Sequence, residues 1–238
     1  MKKMQYSIQD KIAQITLDDG KVNVMNWEFF SELNESLDRA QADDAGALIL
    51  TSRPGVFSAG LDLKLLPTQS TMEKLKFQRA FATTMLRVYQ FPIPTIAAYE
   101  GHAIAGGAIL SYACDRFMIL DGPYKVQINE VVNKMVIPNW ILLICRSSIP
   151  HRWWKEALLH SRAYTPREAF ERGIVDDLIE SGGNVLEAGR EMARNLLKLD
   201  GRAYAATKKF MRREEAEHVL NSLYQESFEW QLDVEQSE

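Results

Sequence analysis

One carboxylate and two glycine-bearing turns carry most of the chemistry that the residues suggest. Glu130 stands among Val126, Ile128, Val131, Val132, Met135, Val136 and Ile137. A carboxyl buried among such neighbours resists ionisation, so its pKa rises toward neutrality, where it can take and return a proton. The same pattern also fits a surface glutamate on an edge strand whose apolar neighbours face inward. The segments Phe57-Ser58-Ala59-Gly60-Leu61-Asp62 and Gly101-His102-Ala103-Ile104-Ala105-Gly106-Gly107 each follow an apolar strand. Small residues there let backbone amides approach a ligand, and consecutive free amides at a turn or helix start can hold an oxyanion. Tight turns with close helix–sheet packing account for either segment equally well. Neither is a nucleotide loop: no Gly-Lys-Ser/Thr follows, and the glycine spacing of a dinucleotide fingerprint is absent.

Other charged and aromatic residues speak less directly. Lys208-Lys209 and Arg212-Arg213 share one helical stretch, suited either to ligand phosphates or to pairing with Glu214-Glu215 on a solvated face. Asp62 reads as a structural cap and Asp115 as the acceptor of a local turn bond. Trp140, Trp153 and Trp154 read as core or subunit-interface anchors. Cys114 and Cys145 form no disulfide framework and are expected as buried, reduced thiols. His102, His151, His160 and His218 show no ligand spacing, so no metal site is expected.

The elements that must position these residues follow from periodicity. Tyr6 to Leu17 alternates and reads as two short strands around Gln9-Asp10-Lys11. Asn26 caps a helix through about Arg39, with Trp27, Phe30, Leu33 and Leu37 as its buried stripe. Residues 46–51, 95–99 and 116–120 are apolar strands of a sheet covered on both faces. Thr71 to about Gln90 is a long amphipathic helix, and a short apolar helix runs from the Gly101 segment through Cys114. Thr165-Pro166-Arg167-Glu168 starts a short helix that Gly173 ends, and one more strand spans 174–179. From Val185 the chain is helical, with breaks expected at Asp200-Gly201 and near Arg213.

The 238 residues carry 28 Lys plus Arg against 32 Asp plus Glu, a net charge of -4, and 46% are apolar. That balance argues against nucleic acid as a partner. No apolar run reaches membrane-spanning length, and no apolar stretch follows Lys2-Lys3 as in a secretory signal, so a cytoplasmic location is expected.

Taken in order, these segments resemble the crotonase superfamily, the enoyl-CoA hydratase/isomerase family, over roughly residues 5 to 213. The resemblance rests on Phe57-Ser58-Ala59-Gly60-Leu61-Asp62-Leu63, on Pro94-Thr95-Ile96-Ala97-Ala98 with Gly101 through Gly107, and on Asn129-Glu130 with Ile137-Pro138. Ala169-Phe170-Glu171-Arg172-Gly173-Ile174-Val175-Asp176 also looks like the family's segment. It implies an α/β fold, a ββα spiral core over residues 1–185, and a helical region, 186–238, for assembly and ligand covering. A homotrimer or a dimer of trimers is implied as well. The implied substrate is an acyl-CoA thioester. Coenzyme A enters as part of that substrate, and no other cofactor is required. By segment position the oxyanion amides look like those of Ala59 and Gly106. Ser58, Ala59, Leu61, Asp62 and Leu63 would run beside the pantetheine, and Lys208 or Lys209 would approach the CoA phosphates.

Hydratases of this family resemble one another in carrying two glutamates, the first just after the Gly-Gly pair. Ile109 stands at that position here, and no acid lies between Gly101 and Cys114. Glu130 matches the second. The motif pattern is similar to that of the mitochondrial-type Δ3,Δ2-enoyl-CoA isomerases, which implies conversion of 3-enoyl-CoA to trans-2-enoyl-CoA through a single glutamate. Hydration, thioester hydrolysis and decarboxylation are the alternatives, with a non-catalytic assembly role behind them. Asn133-Lys134 departs from the family's small loop, and the lysine is expected to lower the pKa of Glu130.

Overall fold

The computed structural model describes residues 3–62 and 70–235, with side chains up to Leu223. The opening hairpin forms as its alternation predicts. Strand β1 (Met4–Gln9) pairs antiparallel with β2 (Ile12–Leu17), and Asp10 and Lys11 turn between them at φ 52° and 64°. A two-residue turn with both φ positive matches the twist of the strands it joins.

Helix α1 (Trp27–Ala42) begins at Asn26, whose side chain accepts the Phe29 N–H. Its buried face is Phe29, Phe30, Leu33, Leu37 and Ala40. Trp27, expected on that face, is half exposed; it occupies the first helical position and meets the core through an edge contact with Phe77 at 5.3 Å.

A strand–strand–helix unit then recurs three times. The first comprises β3 (Ala47–Ser52), β4 (Gly55–Ser58) and α2 (Thr71–Tyr89). The second comprises β5 (Thr95–Tyr99), β6 (Gly101–Ile104) and α3 (Gly106–Ala113). The third comprises β7 (Arg116–Leu120), β8 (Val126–Gln127) and α4 (Asn139–Ser148). In every unit the first strand joins a six-stranded sheet of order β1-β2-β3-β5-β7-β9, and the second joins a three-stranded parallel sheet of order β4-β6-β8. The last strand of the large sheet is β9 (Asp177–Ile179). Strand β6 lies where the sequence suggested a turn. Gly101 explains it: a Cβ there would sit 2.4 Å from the Val56 nitrogen, so two backbones meet where a side chain would part them.

The large sheet is covered on both faces. Within β3, Leu48 and Leu50 face the main core, while Ala47 and Ile49 face the other way. On that outer side lies helix α6 (Val185–Leu196), and Gly189 brings its backbone against Ala98. Between them, a Thr165–Glu168 capping box starts α5 (Pro166–Glu171), as its sequence predicts. Helix α7 (Gly201–Glu235) packs on α2 and α4. It runs unbroken through Arg213, against expectation. No Gly or Pro interrupts residues 202–235, and Arg213 pairs with Glu217 one turn on at 2.5 Å. The architecture is thus an α/β spiral of ββα units with a C-terminal helical extension.

Candidate active site

The small sheet brings the two glycine segments and Glu130 to one edge. Its strands are parallel, so their C-terminal ends share a side. Ser58 lies opposite Ala103, and Ile104 lies opposite Gln127. The segments that follow these strands, residues 59–62, Ala105-Gly106 and Asn129-Glu130, therefore leave from one side of the small sheet.

Two backbone donors meet at this edge. Gly60 (φ 84°) approaches the β6–α3 joint so closely that an added Cβ would lie 3.0 Å from the Gly106 nitrogen. Leu61 forms a parallel bridge with Met25: the Met25 N–H donates to Gly60 O and the Asp62 N–H to Met25 O, both at 2.8–3.0 Å. Neighbouring amides alternate in direction along an extended chain. The Leu61 N–H therefore points away from Met25, and it has no partner among the described residues. The Gly106 N–H opens α3 and has no intrahelical acceptor. Ala105 turns the chain into the helix at φ 48°, ψ -117°, a conformation that costs an L-residue of order 1–3 kcal/mol. That strain aims the following amide.

The amide of Ala59 is not a free donor. It is used within the fold, donating to Val22 O at 3.0 Å. Ala59, expected to pair with Gly106, is therefore spent within the fold, and the amide left without a partner on that stretch is that of Leu61. Both amides belong to one three-residue stretch, Ala59-Gly60-Leu61, so position in the sequence could not separate them. The 22–25 segment that occupies Ala59 is remote from it in sequence.

Glu130 is buried, and its Oε2 has no hydrogen-bond partner. Burial pushes its carboxyl above the ordinary range, and the Glu130 and Asn129 amides pull it part of the way back. Lys134, expected to lower it, is not among the groups that act on it. Ile109 is fully buried, and Met25 and Phe81 crowd Gly106, with Trp140 edge-on to Phe81 at 4.8 Å. The residues just after Glu130 contribute to an apolar cleft of about 410 Å³, whose lining includes Val131, Lys134, Met135, Ile137, Leu142 and Leu158.

The remaining expected ligands part company. The Ser58 hydroxyl is fully buried and turned inward, so it is closed to a ligand. Leu61 and Asp62 are half-buried at the edge, and Leu63 lies outside the described residues. Lys209 is exposed on α7. Lys208 is buried and pairs with Asp115 Oδ2 at 2.7 Å, while Arg212 takes Oδ1 at 2.8 Å and Tyr204 donates to Oδ2 at 2.9 Å. Lys208 is thus an internal clamp and not a phosphate ligand, and Asp115 anchors α7 instead of serving only a local turn. Desolvation lowers the Lys208 ammonium to about 8. Burial raises both thiols, Cys114 to about 12, which leaves them protonated and unreactive. Among the described residues no cluster of His, Cys, Asp and Glu could hold a metal, and no helix is long and apolar enough to cross a membrane.

A fold of ββα units that gathers two amides without partners and one buried carboxyl on one side of a small parallel sheet suits a class of enzyme that polarises a carbonyl and moves a proton beside it. Comparison with known proteins identifies the class. Residues 7–234 match the enoyl-CoA hydratase/isomerase family. Human mitochondrial enoyl-CoA delta isomerase 1 is 32% identical over 171 residues, which span 71% of this chain and 57% of the human protein. The crystal structure of human mitochondrial delta3-delta2-enoyl-CoA isomerase superposes with a TM-score of 0.89 at 26% identity, covering 99% of this chain and 98% of that one. A probable enoyl-CoA hydratase of Mycobacterium tuberculosis superposes at 0.91 with 30% identity, covering 99% of both chains. The chain belongs to the enoyl-CoA hydratase/isomerase family, the crotonase superfamily, as one of its acyl-CoA-processing enzymes.

Proposed function

We propose that the enzyme shifts the double bond of a 3-enoyl-CoA to give the trans-2-enoyl-CoA. The observation that carries this reading is a single buried glutamate with a free oxygen, beside an amide pair, where Ile109 supplies no second acid. The thioester oxygen accepts hydrogen bonds from the Leu61 and Gly106 N–H groups. Glu130 Oε2 removes a proton from C2; the electron pair delocalises onto the thioester oxygen, where the two donors stabilise it. One such fixed donor is worth about 2.7–4 kcal/mol in the reference case. The carboxylic acid then returns the proton to C4 as the double bond forms between C2 and C3. A carboxyl with a raised pKa is the stronger base for the first step, and its protonated form is the proton donor for the second. The apolar cleft lined by the 131–137 segment would take the acyl chain.

Hydration needs a water held and polarised beside the alkene, and the buried Ile109 side chain offers it neither a donor nor an acceptor. Incubating a 3-enoyl-CoA in D₂O tests the scheme. A single carboxyl that carries the proton from C2 to C4 leaves part of the original protium in the product. Formation of 3-hydroxyacyl-CoA as the main product would refute it.

The same reading carries a homotrimer or a dimer of trimers. Phe210 and Met211, 86% and 69% exposed, stand out from α7. Surfaces of this kind are covered in stable oligomers. The mass by light scattering tests it, and a monomer at micromolar concentration would count against it.

A further inference from the structure

Asn23 and Ser58 are buried polar residues that the reaction scheme leaves unused, and both act on the segment that carries Leu61. Asn23 is 2% exposed and sits at φ 51°, a left-handed conformation that asparagine tolerates better than most residues. Its Nδ2 donates to Leu17 O at 3.2 Å and to Phe57 O at 3.0 Å, and its Oδ1 accepts the Asp19 N–H at 2.9 Å. Its own carbonyl accepts the Ser58 hydroxyl at 2.7 Å. That hydroxyl in turn accepts the Gly60 N–H at 3.1 Å. On either side of Asn23 the backbone holds the same loop, through Ala59 N–H to Val22 O and Met25 N–H to Gly60 O. Ser58 also presses on the other donor's helix: a Cβ on Gly107 would lie 2.3 Å from Ser58 O.

Around Leu61 the Ala59 N–H, the Gly60 C=O and the Asp62 N–H are thereby committed to the 22–25 segment and the Gly60 N–H to Ser58, while the Leu61 N–H has no partner among the described residues. We infer that Asn23 and Ser58 are positioning residues of the anion site, which hold the Leu61 N–H at its set distance from the Gly106 N–H. The inference rests on the reading of those two amides as the thioester-binding pair. Ser58→Ala removes both bonds of the hydroxyl and leaves the Gly60 N–H free to turn the next peptide. Since one complete donor is worth about 10²–10³ in kcat, a donor displaced but not deleted should cost on the order of 10-fold. Substrate binding comes mainly from the CoA portion and the acyl chain, so KM should stay within about twofold.

The test reads the site directly. A saturated acyl-CoA, labelled with ¹³C at the thioester carbonyl, is bound to wild type, to Ser58→Ala and to Asn23→Gly, which keeps the left-handed backbone. Difference infrared spectroscopy reports how far each protein lowers the carbonyl stretch. The expected result is a downshift in wild type, at least half of it lost in each variant, with dissociation constants within about threefold and kcat down about 10-fold. A downshift equal in all three proteins overturns the positioning role while leaving the amide pair standing. Tight binding to wild type without any downshift overturns the amide pair itself, and this inference with it. Variants that melt without a cooperative transition would assign both residues to stability alone and overturn it as well.

Discussion

Gly60→Ala separates the geometry of the amide pair from the stability of the fold. Gly60 has φ 84°, and a Cβ there would lie 2.9 Å from Ala105 Cβ, 2.9 Å from Ile104 O and 3.0 Å from Gly106 N. The left-handed backbone costs an alanine about 1–2 kcal/mol. For a domain of this size that lowers the melting temperature by about 2–8 °C. A protein with several kcal/mol of stability stays folded under that loss. The crowding is a separate effect. Two of the three contacts are to the backbone at the β6–α3 joint, so relief must push Gly106 away from Leu61 by a few tenths of an ångström. A donor lost outright costs about 10²–10³ in kcat, and partial displacement should cost at least about 10-fold. The assay is the rise of the 2-enoyl thioester absorbance from a 3-enoyl-CoA, alongside thermal melting. Gly55→Ala is the control: it carries the same kind of strain at φ 96° with nothing within 4 Å of the new Cβ. Gly60→Ala should lose at least as much melting temperature as Gly55→Ala, since crowding adds to the shared strain, and only Gly60→Ala should lose turnover. A Gly60→Ala kcat within threefold of the control would refute the reasoning.

Glu130→Gln should bind acyl-CoA normally and lose about 10²–10⁴ in turnover, the usual worth of a positioned acid/base; full activity would remove Glu130 from the mechanism. The acid limb of kcat/KM in wild type should inflect above the ordinary carboxyl value of 4.5, because burial raises the folded pKa. The sign for stability follows: a raised carboxyl favours the fold below its unfolded value and loses that contribution as pH rises through its folded value. The melting temperature of wild type minus that of Glu130→Gln should fall across that window and then level off. Lys208→Met should cost about 3 kcal/mol, at the low end for a broken buried pair because Arg212 still meets Asp115, with little change in KM. The Lys208 ammonium is depressed from 10.5 to about 8, so wild-type stability should rise from pH 8 toward 10.5 relative to Lys208→Met, as judged by urea midpoints.

Much of the scaffold was legible in local pattern. The capping box at Thr165 and Glu168, the Asn26 cap and the positive-φ turn at Asp10-Lys11 depend on neighbours in the chain, so their residues announce them. Strand β6 did not announce itself, since four residues beginning with a glycine carry the composition of a turn. Its pairing depends on Val56, 46 residues back in the register. Lys208 misled for the same reason. Two lysines and two arginines on a helix look solvated until Asp115, 93 residues away, is brought beneath them.

The amino-acid order alone settles which chemistry is available: a glutamate at 130 with apolar neighbours, an isoleucine at 109 and two stretches of small residues able to expose amides. Those are matters of residue type, and folding does not alter them. Which amide is exposed was decided by the tertiary structure. The 22–25 segment lies beside 59–62 and takes the N–H of Ala59 and the C=O of Gly60, which leaves the Leu61 N–H without a partner among the described residues. A backbone amide has the same chemistry at every residue, so its role is set by what the rest of the chain brings within hydrogen-bonding distance.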